Sequence, residues 1–237
     1  TAPHHLAADA GRDVLREGGT AIEAMVTAAA VIAVVYPHMN AIGGDGFWLI
    51  ASPGQTPAGV DACGPAAAAA DVHWYNDQGL DKIPARGPAA ALTVPGTISG
   101  WAGALNHPAN DGNCLPLSRL LAPAIDLARI GVAVTAGQAA LTAEKLDGLK
   151  DIPGFAQTFL AAEGSALNAG ARLKQTKLAD TLEHLGRVGL DDFYRGDVAR
   201  SMANDLAAGG SPLALADLER FEALIVNPPT TRVTSAN

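Results

Sequence analysis

From Ala24 to Val35 the chain is apolar at every position but Thr27. A helix with no polar face has to be covered on all sides, so the fold must place other elements all around this one. The run begins behind Thr20 and Glu23, whose spacing fits a capping box: the hydroxyl and the carboxylate each satisfy a backbone amide that the first helical turn leaves without a partner. It ends at Pro37, and with Glu23 inside it the apolar stretch falls short of the ~20 residues needed to span a bilayer. It is predicted to be a buried helix and not a membrane anchor. Only 5% of the 237 residues are aromatic, although 49% are hydrophobic. Alanine, valine and leucine must therefore fill the interior, which requires elements to approach closely. That amount of apolar chain suffices for one large domain or two small ones within residues 1–237.

Other elements follow from periodicity and turn chemistry. Leu6, Ala10 and Val14 predict a helix over 5–17, stopped by Gly18-Gly19. Two strands, 47–51 and 59–63, flank the turn-forming Pro53-Gly54 as a hairpin. The segment 66–96 reads as an alanine-rich stretch and a polar loop. Helices are then expected from Thr97, from Pro116 to Gly131, and over 135–149, 154–162, 178–185, 196–208 and 214–220, so the middle of the chain is mainly helical. Strands at 223–226 and 231–234 around Pro228-Pro229 close the pattern. A ladder begun there needs pairing from elsewhere, so the sheet is expected to be continued by another polypeptide.

Several chemistries are excluded. A net charge of −8 offers phosphate backbones and anionic lipid surfaces no attraction, so neither nucleic acid nor membrane is expected as a partner. In Gly96-Thr97-Ile98-Ser99-Gly100 the serine stands one place too late for a nucleophile elbow, and no strand precedes it; Ser99 is expected inside a helix. The turn Gly43-Gly44-Asp45-Gly46 follows a helix and lacks the strand-turn-helix setting of a dinucleotide site. Its glycines are expected to permit close backbone approach. Six histidines, including the adjacent pair His4-His5, form no compact ligand set, so no metal and no cofactor is expected. Asp191-Asp192 read as residues that start a helix. Cys63 and Cys114 read as structural thiols. Thr1 is followed by Ala2, Pro3 and a helix, where a catalytic N-terminal threonine would be expected to start a strand.

Six segments stand in an order that carries more information than any one of them. Pro3-His4-His5-Leu6-Ala7 with Gly18-Gly19-Thr20-Ala21-Ile22-Glu23-Ala24 comes first. Tyr36-Pro37-His38 with Ile42-Gly43-Gly44-Asp45-Gly46-Phe47 follows, then Val94-Pro95-Gly96-Thr97-Ile98-Ser99-Gly100-Trp101. Ala122-Pro123-Ala124-Ile125-Asp126-Leu127-Ala128-Arg129-Ile130-Gly131, Asp192-Phe193-Tyr194-Arg195-Gly196 and Ala216-Asp217-Leu218 complete the set. Across nearly the whole chain, these segments resemble the motifs of the gamma-glutamyltranspeptidase family, large-subunit portion. The resemblance implies an α/β fold, the αββα four-layer sandwich of N-terminal-nucleophile hydrolases, completed by a small subunit. It implies a zymogen that cuts itself, a nucleophilic threonine at the start of the small subunit, no catalytic residue in this chain, and an αβ heterodimer whose further pairing to (αβ)2 stays open. A cytoplasmic location is expected, or a periplasmic or secreted one if a signal peptide has been removed.

One departure bears on substrate. In gamma-glutamyl enzymes an arginine shortly before a "DxQG"-like turn holds the donor's carboxylate. Counting back from Asp77-Gln78-Gly79 brings that position near Asp71, whose own carboxylate would repel another. His73 and Trp74 flank it as pocket candidates. The resemblance therefore implies a small amide other than a glutathione-type donor, with oxamate amidases and cephalosporin acylases among the divergent relatives. Two alternatives are a true glutathione hydrolase or gamma-glutamyltransferase with Arg86 as the carboxylate anchor, and a non-catalytic ligand-binding module.

Overall fold

The computed structural model describes residues 1–111 and 115–231. Helices α1 (His5–Arg16) and α2 (Ala21–Val35) are joined through Gly18, whose φ of 89° lies in the region glycine alone enters freely. The capping box forms as read: Thr20 Oγ1 accepts from the Glu23 amide, and Glu23 Oε2 accepts from the Thr20 amide at 2.8 Å. Glu23 is buried, and its second oxygen accepts from the Leu115 amide at 2.7 Å, so one carboxylate satisfies two otherwise orphaned donors.

Strands β1 (Gly46–Ile50) and β2 (Ala58–Ala62) pair antiparallel, each one residue earlier than the sequence predicted, and Gly54 turns between them at φ 74°. Within the predicted polar loop lies a short helix, α3 (Val72–Asp77), which six residues are too few to reveal by periodicity. Helices α4 (Thr97–Leu105) and α5 (Leu117–Ile130) follow. Two two-residue strands, β3 (Val132–Ala133) and β4 (Arg172–Leu173), bracket α6 (Ala136–Lys145) and α7 (Phe155–Phe159). Then come α8 (Thr176–Val188), α9 (Asp192–Arg195), α10 (Asp197–Gly209), α11 (Leu215–Arg220) and β5 (Leu224–Val226). The predicted strand at 231–234 falls, after Thr231, outside the described residues.

Helix α2 lies among α1, α4 and α5, with α8 packed on the far side of α5. Apart from Ala21 and Met25, its residues are buried or half-buried, which is the all-round cover that its composition demanded. The main sheet runs β1-β2-β5, antiparallel throughout. Its inner face, with Ile50, Val60 and Ala62 buried, receives α4. There Gly100 and Gly103 allow close packing: an added Cβ would stand 2.9 Å from the Ala62 Cβ and 3.1 Å from a Val60 methyl, respectively.

Among the described residues, nothing covers the outer face. Register places Phe47, Asp61 and Leu224 in one row across the strands and Leu49, Gly59 and Val226 in the next. Phe47 is 70% exposed, Leu49 71% and Leu224 64%. Both edge strands, β1 and β5, also lack an outside neighbour among the described residues.

Candidate functional site

At one end of the bare face, the turn between α2 and β1 meets the end of β2 and the start of α4. Gly44 O accepts from the amides of Gly96 and Thr97, both at 2.9 Å, and from Thr97 Oγ1 at 2.8 Å, so the first turn of α4 is fastened to the glycine turn. Close backbone approach occurs here, at Gly44 through its carbonyl and at Gly46, where an added Cβ would stand 3.5 Å from Thr97 Cα; the tightest glycines lie outside the turn. A Cβ on Gly64 would fall 1.6 Å from Val94 O, and one on Gly96 1.8 Å from Ala62 O, whereas a Cβ on Gly43 would meet open space. Asp45 Oδ1 accepts from the Gly64 amide at 3.3 Å, and the Cys63 thiol lies 3.7 Å from Asp45 Oδ2. Cys63 is exposed at this rim, against the expectation of a thiol placed for packing, because it follows the last residue of β2 where the strand leaves the core. The Asp45 charge, with desolvation and the hydrogen bond to Asp45 adding to it, pushes this thiol up, so it stays protonated near neutrality and is a poor nucleophile.

Ser99 is buried inside α4, and its hydroxyl accepts from the Ala223 amide at 2.8 Å, a structural role that leaves it unavailable for attack. Its own amide, left without an intrahelical partner, is satisfied by Tyr194 Oη at 2.9 Å; that hydroxyl in turn donates to Pro95 O at 2.7 Å. Burial raises the Tyr194 pKa well above the phenol range, keeping the proton this bond needs.

The predicted pocket residues are dispersed. Asp71 caps α3, accepting from the Trp74 amide at 2.8 Å, and both Asp71 and His73 are exposed. Trp74 lines a cavity of about 510 Å³ against α10. Arg86 lines a different one, of about 280 Å³, with His38, Gln138, Lys145, Phe155 and Phe159. Asp71 and His73 line neither. A larger cavity, about 1020 Å³, opens between α4, α9 and β5; the cation lining it, Arg195, already pairs with Asp191 and donates to Phe221 O.

His184, Asp192 and Asp197 bring ligand-type atoms within 4.8 Å of one another. Their bonds explain them without an ion. Asp192 accepts from the amides of Asp197 (3.1 Å) and Val198 (2.9 Å) at the start of α10 and from His184, and Asp197 pairs with Arg200. Asp192 thus performs the helix-starting role that the sequence suggested for the acidic pair. No described helix is long and apolar enough to cross a membrane.

The family model described as gamma-glutamyltranspeptidase matches residues 7–236. An oxamate amidohydrolase proenzyme from Klebsiella pneumoniae is 52% identical over 230 residues, covering 97% of this chain but 43% of that protein. The crystal structure of Helicobacter pylori gamma-glutamyltranspeptidase superposes with a TM-score of 0.86 at 30% identity, covering 95% of this chain and 64% of that one. Cephalosporin acylase from Bacillus halodurans gives a TM-score of 0.86 at 31% identity, over 96% of this chain and 42% of that one. The chain thus spans less than half the length of the curated relatives it matches, and its layers are those of the N-terminal-nucleophile hydrolase fold. With the family model matching residues 7–236 and the fold superposing on that of a gamma-glutamyltranspeptidase, the chain belongs to the gamma-glutamyltranspeptidase family.

Proposed function

We propose that this chain is the larger, non-nucleophilic part of an autoprocessed amidohydrolase, and that a companion polypeptide begins with the nucleophilic threonine. The observation that carries this reading is the bare apolar face of the β1-β2-β5 sheet, with Phe47, Leu49 and Leu224 each more than three-fifths exposed. Burying each such side chain gains about 1.5–3 kcal/mol, so a second sheet laid on this face completes the αββα sandwich at a profit in free energy.

In this arrangement the companion's threonine hydroxyl attacks the amide carbonyl carbon, and its own α-amine takes the proton. The tetrahedral oxyanion is held by backbone amides. The C–N bond then breaks as the amine returns the proton to the leaving nitrogen, and water attacks the acyl ester to release the acid and regenerate the hydroxyl. This chain walls the pocket. At the rim it presents the carboxylates Asp45 and Asp61. The substrate we favour is a small amide acid of the oxamate kind, as the name of the 52% identical relative suggests.

Expression of the full-length gene, followed by intact mass and N-terminal sequencing, is expected to yield a second polypeptide beginning with threonine. Oxamate is expected to be hydrolysed faster than glutathione. Turnover of an amide by residues 1–237 alone would refute the two-chain reading, and a clear preference for glutathione would refute the substrate.

A further inference from the structure

The cavity of about 280 Å³ beside α6 shares no lining residue with the rim of the bare sheet face, and its lining carries a specific chemical asymmetry. Gln138 is 4% exposed, yet its side-chain carbonyl Oε1 is buried with no hydrogen-bond partner, and His38 Nδ1 is in the same condition. Buried polar atoms are ordinarily paired, because leaving one unpaired costs the full desolvation of that group. Both atoms belong to residues that line the cavity, and each lacks the partner that a polar occupant would supply. Burial holds the His38 pKa below the usual imidazole range, so near neutrality His38 contributes no charge.

The charge comes from two residues. Lys145 is offset by its neighbour Glu144. Arg86 forms no hydrogen bond or ion pair among the described residues, though it lies near enough to Glu144 to help hold that carboxyl down. The local sum is one surplus positive charge, carried by a guanidinium whose fork matches a carboxylate. Phe155 and Phe159, with ring centroids 5.2 Å apart, supply an apolar wall. Anion, N–H donor and apolar body are therefore each provided for.

We propose that this cavity binds a small N-acylated amino acid: its carboxylate on Arg86, its amide N–H donating to Gln138 Oε1, and its acyl group against Phe155 and Phe159. The volume suits a ligand of this size, at the lower end of small-molecule sites. The site is separate from the amide-cleaving rim, and its existence does not depend on which amide is cleaved there.

Hippurate, a benzoyl amide of glycine, is the probe, titrated calorimetrically into the full-length protein with its companion polypeptide. Binding at millimolar affinity or better is expected. Arg86→Gln is expected to weaken it about tenfold or more through loss of a charge-assisted pair, and Gln138→Leu several-fold. O-benzoylglycolate, in which an ester oxygen replaces the N–H, tests the same contact on the unmutated protein and is expected to bind several-fold more weakly than hippurate. Absence of binding, equal affinity for hippurate and the ester, or an Arg86→Gln variant that binds like the parent would each overturn the assignment. Full displacement of hippurate by oxamate in a one-site competition would overturn the separateness of the site.

Discussion

Tyr194 is the residue where two of the recognisable sequence segments become one physical object. Its hydroxyl joins Pro95 O to the Ser99 amide, so the segment before α4 and the segment around α9 hold each other. Tyr194→Phe leaves a buried carbonyl and a buried amide unpaired, and chemical denaturation is expected to show a loss of about 1–3 kcal/mol. Gly96→Ala drives a methyl into Ala62 O and is expected to cost more, above about 3 kcal/mol, or to prevent soluble expression. Sequence showed both segments as a pattern, and Ser99 as a helix residue, but not the bond between them, because 95 residues separate its two ends. The substrate-binding residues read from sequence fared differently. Asp71 stands where a carboxylate looked informative, and the structure employs it as a helix cap. Gln138 drew no notice, since Thr135 three residues earlier looks like an ordinary N-cap and behaves as one; its stranded carbonyl emerges only once the cavity has walls.

Among elements, pattern and capping decided what was legible more than length: five-residue α7 and six-residue α11 lie within the helices predicted over 154–162 and 214–220. The fifteen residues of α2 declared themselves through composition, α5 through Pro116 and its terminal Gly131, and α8 through a pattern read over 178–185, short of its full Thr176–Val188. Six-residue α3, four-residue α9 and the two-residue strands β3 and β4 did not, because tertiary contacts and single caps hold them more than any periodic pattern. The α5–α8 contact shows what sustains the longer elements. Leu121, Ala124, Ala128, Leu182 and Leu185 are buried across it, while Arg129 reaches Asp180 and Glu183 from the solvent side. Leu182→Ala is expected to lower stability by about 2–5 kcal/mol, measured as a shift in the urea midpoint. Arg129→Ala is expected to shift that midpoint far less, since solvent screens exposed pairs. Equal effects would mean that the ion pairs, and not the leucines, fasten these helices.

At the scale of the molecule, the sequence foretold an incomplete sheet from strand patterns near residue 226; the register then revealed incompleteness of a second kind, a whole face without a neighbour. Alternation alone could not tell which side of β1 would meet helices, because Phe47, Trp48, Leu49 and Ile50 are apolar on both sides. Leu49→Lys places a charge on the bare face. In the full-length protein it is expected to diminish recovery of the companion polypeptide and to lower the melting temperature, while Val188→Lys, at an exposed site away from the sheet, leaves both unchanged. Undiminished recovery with Leu49→Lys would show that nothing docks there. The bare face also sets a condition on biosynthesis. Two copies of this half, made apart from any cover, meet as identical greasy surfaces, and their self-association grows with concentration. If the half and its cover are translated as one polypeptide, as the proposed reading has it, the correct encounter is unimolecular and fast at any dilution.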